Sequence, residues 1–245
     1  MYSSFACFYD AFTENVQYKK RTDYICRLFK KYGKLPTLLL DAACGTGSFS
    51  VEFARRGISV IGADISSDML SIAAEKKARE NLDILLINSP LSKLDLYGTV
   101  DGAVCLLDSI NHITDYRELE RSVSRISLFL EPNALFIFDV NTEYKHKNVL
   151  ADNSFVMENE NAFCVWQNKY IEKKKLTEIT LDFFEKTGEE YSRYTETFSE
   201  RAYSDAEIEK VLKKSGLEIV AVLGENTLDL PSDTCERKIF VTRKV

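Results

Sequence analysis

The stretch Leu39-Leu40-Asp41-Ala42-Ala43-Cys44-Gly45-Thr46-Gly47-Ser48-Phe49 constrains this chain more than any other. An apolar run, Leu38 to Leu40, leads straight into a glycine turn, and the residues from about Phe49 to Arg56 then read as a helix stopped by Gly57. Glycine is needed where backbone must turn tightly or approach a ligand with no Cβ in the way. A helix starting behind such a turn presents backbone N–H groups with no partner inside the helix. A fully apolar strand followed by a helix commits the chain to a parallel sheet covered on both faces.

The rest of the first half repeats that unit. Ile58 to Ala63 reads as a second strand, and Ser66 caps a helix to about Arg79 with Asp68 at its positive end. Leu82 to Ile87 and Ala103 to Leu107 read as third and fourth strands, and Asp115 to Leu130 as a helix. Glu131-Pro132-Asn133 reads as a turn and Ala134 to Val140 as a fifth strand. Ahead of the glycine loop, Val16, Tyr24, Ile25, Leu28 and Phe29 recur on one helical face, and Gly33 stops that helix. After Asn141 the pattern changes. From Phe155 to about Tyr203, aromatic and β-branched residues alternate without helical periodicity, with breaks at Lys173–Lys175 and Thr187-Gly188-Glu189, which predicts an antiparallel meander. A helix over Ser204–Lys214 and two strands, Leu217–Leu223 and Lys238–Thr242, close the chain. The expected architecture is α/β: a seven-stranded, mostly parallel, Rossmann-like sheet with an antiparallel β-rich insert after the fifth strand. Residues 1–145 and 206–245 form the main domain, and 146–205 form an insert that lids the acceptor site.

Composition removes several functional classes. The formal net charge of −6 opposes binding to polyphosphate, so nucleic acid is not an expected partner. No apolar run reaches membrane-spanning length, and Met1 to Phe12 lacks a basic signal-like start, so neither a membrane nor an export signal is expected and a cytoplasmic location follows by default. The six cysteines form no CxxC pair and read as small hydrophobes. With only two histidines, no metal-ligand spacing is visible and no metal is expected. His146, next to Lys145, reads as surface, and Glu200-Arg201 as a structural ion pair.

Two ligand classes use a loop of this kind. Dinucleotide binders place a third glycine three residues beyond the second, where this chain has Ser50, and hold a pyrophosphate at the helix end. Asp41 would repel a pyrophosphate and attract a cationic amino-acid group. The loop therefore fits S-adenosylmethionine better than NAD.

Asp41-x-Ala43-Cys44-Gly45-Thr46-Gly47 resembles the first motif of class I S-adenosylmethionine-dependent methyltransferases, and Ile61-Gly62-Ala63-Asp64-Ile65-Ser66 with Met69 is similar to their second. The resemblance extends over nearly the whole chain and leans towards small bacterial enzymes related to amino-sugar N-methyltransferases. It implies that Asp64 accepts both ribose hydroxyls and that Ile65 and Met69 wall the adenine. Val100 to Asn111, with Leu106 and Asp108, resembles the fourth strand and the loop under the transferred methyl, and Phe136 to Thr142, with Asn141, resembles the fifth strand and its mouth. Tyr9-Asp10 and Arg21-x-x-Tyr24 match the family's opening segment, so Tyr9 and Arg21 face the cofactor's amino-acid end, or else serve as helix surface and packing. One departure stands out. Where the family places an acid and then Met, this chain has Pro90 and Leu91. Proline accepts no side-chain hydrogen bond, so Ser89, Asn88 or a backbone carbonyl has to take the adenine amino group, or about 0.5–1.5 kcal/mol is lost.

The function expected is methyl transfer to an amine or hydroxyl of a small molecule. The alternatives are cofactor binding without catalysis and, less favoured, a nicotinamide oxidoreductase. His112 is the candidate proton acceptor, or a loop histidine with no such role. Asp108, Asn111, Asn141, Trp166 and Tyr203 are the acceptor-side candidates, with packing of the meander as the other reading of the two aromatics. A sulfonium is already activated, so alignment and exclusion of water are the main demands on the protein.

Overall fold

The computed structural model describes residues 10, 12–13, 16–158, 162–188 and 190–245. Helix α1 (Tyr18–Tyr32) precedes β1 (Leu38–Ala42), α2 (Ser48–Ala54), β2 (Ser59–Asp64), α3 (Ser67–Arg79), β3 (Ile84–Asn88) and β4 (Val100–Cys105). The short α4 (Ser109–His112), α5 (Tyr116–Phe129) and β5 (Leu130–Asn141) complete the first half. The strand order β10-β11-β5-β4-β1-β2-β3 builds one seven-stranded sheet. Strands β1 to β5 run parallel, while β11 (Arg237–Lys244) pairs antiparallel with both β5 and β10 (Leu217–Gly224). The carboxyl ends of β1, β2 and β4 thus open at one edge, where open α/β sheets hold their ligands.

Apolar layers cover both faces of this sheet. Leu28, Phe29, Leu39, Phe53 and Val104 pack on one side, and Leu40, Ala103, Phe136, Phe138 and Phe240 on the other. The Phe138 and Phe240 rings stack at 5.1 Å across β5 and β11. Burying each such side chain contributes about 1.5–3 kcal/mol, which is what makes the ligand-bearing edge a rigid platform. Among the described residues, no helix is long and apolar enough to cross a membrane.

The meander forms as a second sheet, β6-β7-β8-β9, from β6 (Ser154–Glu158), β7 (Ala162–Ile171), β8 (Leu176–Thr187) and β9 (Glu190–Arg201). The short α6 (Glu143–Lys145) follows β5, and helix α7 (Asp205–Lys214) returns the chain to the main sheet behind a Ser204/Glu207 capping box. Two expectations shift. Glu131-Pro132-Asn133 is a bulge inside β5 rather than a turn: Asn133 is left-handed (φ 66), and the register with β4 slips between Val100↔Leu130 and Gly102↔Leu135. Proline is tolerated there because a bulge leaves its position out of the hydrogen-bond ladder. The fourth strand also ends early, at Cys105, because Leu107 and Asp108 both adopt positive φ (55° and 51°) and lift the chain out of the sheet.

Candidate functional site

The glycine loop wraps tightly because Ala43, Gly45 and Gly47 are all left-handed, with φ of 60°, 55° and 74°. At Gly47 the need for glycine is steric as well, since a Cβ would lie 2.8 Å from that of Ala73. A Cβ on Gly45 would meet nothing within 4 Å, so the space above the loop is open. Asp64, at the end of β2, pins the loop: Gly45 N donates to Oδ2 and Ser66 N to Oδ1, both at 2.8 Å. Each carboxylate oxygen keeps a lone pair for a further donor. Asp41 is buried and accepts from Ser50 Oγ at 2.5 Å. Burial first, and the nearby Asp64 charge, push its carboxyl up to about 7. Asp41, Ala43 to Thr46 and Leu106–Leu107 line a cavity of about 350 Å³ of empty space.

Just past the end of β2, Ile65 is an apolar side chain left 64% exposed, while Met69 in α3 is buried. Asn88 spends its amide N–H groups on the carbonyls of Asp64 and Ile65, and Ser89 N donates to Asp64 O at 2.9 Å. The Ser89 hydroxyl donates to Pro90 O, and Leu91 turns inward to the core. Asp10 reaches over the loop, accepting from Thr46 Oγ1 at 2.7 Å and pairing with Lys76 Nζ at 2.6 Å. Tyr9 lies outside the described residues.

A wider cleft adjoins the loop, enclosing about 1270 Å³ of non-atom space that includes open solvent. Phe12, Met157, Trp166, Phe183 and Phe198 supply its apolar side, and Asp108, His112, Lys145, Glu200 and Arg237 its polar side. The His112 ring stacks on Phe198 at 5.1 Å, with its Nε2 3.7 Å from Glu200 Oε1. Arg237 is buried and bridges Asp108 (2.6 Å), Asp139 and Glu225 (3.4 Å). Burial alone would raise the Asp108 carboxyl, but Arg237 and then His112 outweigh it and hold the group well below the usual range. Asp139 is pushed up instead, by burial first and then by the Asp108 charge, which together outweigh Arg237.

Several expected site residues are placed as follows. Asn111 is fully buried and ties backbone together: Nδ2 donates to Asn141 O and Arg201 O, and Oδ1 accepts from Asn141 N. Asn141 is buried too, donating to Glu200 Oε2 and accepting from Lys145 Nζ, so it supports the cleft without lining it. Tyr203 belongs to the core, its hydroxyl donating to Ile113 O. Arg21 pairs with Glu225 at the cleft and does not line the loop cavity. Trp166 and Asp108 do line the cleft.

The residues the sequence hid are Glu200, Arg237 and His146. Glu200 is buried and its carboxyl is pushed up, by burial first and then by the Asp108 charge, while Arg201 pairs with Glu207 instead. His146 is fully buried rather than surface-exposed. Its Nδ1 meets Thr177 Oγ1 at 2.7 Å, its Nε2 faces Glu200 Oε2 at 3.8 Å, and burial lowers its pKa to about 4. Asp108, His112 and Glu200 each bring one possible metal-ligand atom within 4.8 Å of the others, a grouping no spacing rule exposes, although Asp108 is already paired with Arg237.

A methyltransferase-domain family model matches residues 39–133, the glycine loop through the start of β5. The crystal structure of an S-adenosylmethionine-dependent methyltransferase from Clostridium acetobutylicum is 31% identical, covers 99% of this chain and 98% of its own, and superposes with a TM-score of 0.90. The chain belongs to the S-adenosylmethionine-dependent methyltransferases. A Geobacillus sp. (strain WCH70) protein, named only provisionally as a methyltransferase, is 28% identical to this methyltransferase over 99% of both chains. Glycine/sarcosine N-methyltransferase from Halorhodospira halochloris is 30% identical over 49% of this methyltransferase and 45% of its own length.

Proposed function

We propose that this methyltransferase moves the methyl group of S-adenosylmethionine onto an amine or hydroxyl of a small molecule held under the 146–205 insert. One observation carries the reading: Leu107 lines both the loop cavity and the aromatic cleft, so a donor methyl in the first and a nucleophile in the second would meet over it. A relative named for glycine and sarcosine N-methylation supports a small amine.

The donor set fits the cofactor. In this reading Asp64 accepts the ribose hydroxyls, and exposed Ile65, backed by Met69, carries the adenine, with Ser89 and Leu91 at its edge. Asp41 faces the ammonium end, and Ala43, Cys44, Gly45, Gly47 and Leu106 shape the wall. When bound, S-adenosylmethionine supplies an activated sulfonium methyl. The chain aligns the acceptor, excludes water under the second sheet, and sets His112 and Glu200 together on the polar side of the cleft. The test is transfer of labelled methyl to a panel of small amines and alcohols, alongside calorimetry with S-adenosylhomocysteine. Turnover of panel members supports the reading. Cofactor binding with no turnover would favour the non-catalytic alternative that Pro90 suggests.

A further inference from the structure

We infer that the acceptor is an amine that enters the cleft as an ammonium ion, and that Glu200 is the catalytic residue that receives its proton. This rests on the reading that the aromatic cleft holds the acceptor.

Among the described residues, three carboxylates line the cleft, and they are not equivalent. Asp108 is paired with Arg237, and Glu225 with Arg21 and Arg237. Glu200 is 4% exposed, and its Oε2 accepts from Asn141 Nδ2 at 3.2 Å. Its Oε1 faces His112 Nε2 at 3.7 Å, beyond hydrogen-bond reach, and takes no hydrogen bond from any described residue. The nearby cation Lys145 bonds to Asn141 Oδ1 instead, at 3.1 Å. A buried carboxylate with an unclaimed oxygen is costly unless a cation or a proton reaches it. Trp166 and the rings of Phe12, Phe183 and Phe198 line the same cleft, and aromatic faces attract ammonium groups. Carboxylate and rings together select a cation over an isosteric alcohol.

A second observation supports a place for the proton. His146 Nε2 is buried, has no hydrogen-bond partner among the described residues, and lies 3.8 Å from Glu200 Oε2. Burial keeps this ring neutral at pH 7. With Nδ1–H donating to Thr177 Oγ1, Nε2 is a bare acceptor, and a protonated Glu200 that turns towards it satisfies it. His112, stacked on Phe198, walls the approach to Oε1 and has no such support behind it. The groups that set the Glu200 titration are Asp108, His112, Lys145 and His146; burial first, and then Asp108, raise it. In the step, an N–H bond of the ammonium breaks and its electron pair stays on nitrogen, while an O–H bond forms on Glu200. That pair then forms the N–C bond as the C–S bond breaks. The product leaves as an alkylammonium and Glu200 returns its proton to water, one proton per methyl.

Trp166 is the only tryptophan in the chain and lines the cleft, so its fluorescence reports occupancy. Benzylammonium and benzyl alcohol would be titrated at pH 8 into the protein loaded with S-adenosylhomocysteine. The expected result is at least about tenfold tighter binding of the cation, lost to within about twofold in Glu200→Gln. In methyl transfer at pH 7, Glu200→Gln should slow amine acceptors about 100-fold and recover as the pH approaches the pKa of the amine, with Glu200→Asp intermediate. Thermal melts of both variants check that the fold is kept. Equal or absent binding of the two probes to the unmodified protein overturns the inference, as does a Glu200→Gln variant with an unchanged pH profile. A cation preference with no amine turned over supports the ammonium site and counts against the small-molecule acceptor reading. Amine turnover indifferent to Glu200→Gln counts against the proton assignment alone.

Discussion

Asp41→Asn tests how the glycine loop stores free energy. Asp41 is 2% exposed, and its only side-chain hydrogen-bond donor among the described residues is Ser50 Oγ. Its carboxyl rises from 3.8 to about 7, with burial the first cause. The folded-state value lies above the unfolded one, so the native protein holds a proton that the unfolded chain releases. Stability from this group is complete below about pH 4 and is lost as the pH climbs through 7. At 1.36 kcal/mol per unit the full loss at pH 8 is about 4 kcal/mol. Asparagine keeps the acceptor for Ser50 and carries no charge, but adds a buried amide donor, so about 2–4 kcal/mol of that loss should be recovered. Urea melts of the cofactor-free protein at pH 4, 6 and 8 give the comparison: near-equal stabilities at pH 4, with the variant ahead by a margin that widens to pH 8. Identical pH slopes for the two proteins, or a variant less stable at pH 8, would refute the reasoning. In calorimetry the same variant should bind S-adenosylhomocysteine more weakly, since the charge that costs stability is the one proposed to face the ligand's ammonium.

Three further perturbations separate roles that the structure keeps apart. Asp64→Ala strips the acceptor from Gly45 N and Ser66 N and should weaken S-adenosylhomocysteine binding by at least about tenfold, or 1.4 kcal/mol, with unchanged calorimetric affinity refuting the assignment. Gly47→Ala combines a left-handed backbone penalty of about 1–2 kcal/mol with the clash against Ala73, whereas Gly45→Ala carries the backbone penalty alone; urea melts should therefore rank Gly47→Ala as the less stable of the two. Asn111→Ala leaves the Asn141 N–H and the Asn141 and Arg201 carbonyls unpaired and should cost about 3 kcal/mol in a urea melt, with the acceptor KM unmoved, whereas a KM effect at full stability would restore a substrate role.

What could be read from the sequence was what is local. The glycine loop, the Ser66 cap and the Asp64 strand end are each specified within a few consecutive residues, and the structure keeps them in place. The meander was legible because alternation is a property of neighbours along the chain. Glu200 was not, because its environment depends on a β8–β9 register that sets it opposite Thr177 and on a histidine at the very start of the insert, more than fifty residues earlier in the chain. His146 looks like surface beside Lys145, yet it opens the π-helical turn His146–Leu150 and is fully buried. Arg237 carries no motif, and the three acids it bridges come from β5, the loop after β4 and the loop after β10. Asn111 and Tyr203 sit in the right stretch of sequence but spend their polar atoms on backbone.

Strand β5 pairs with β4 on one side and β11 on the other, and with no strand of the second sheet. The hydrogen-bond ladder that holds the glycine loop therefore closes without the meander. Met157, Trp166, Phe183 and Phe198, most of the apolar side of the cleft, all sit on one uninterrupted stretch of chain that leaves after β5 and returns at α7. Such a stretch can be rewritten, or exchanged as a cassette between relatives, while the machinery at the sheet edge stays as it is. On the proposed reading, the division makes acceptor choice evolvable independently of the half of the protein that binds the methyl donor.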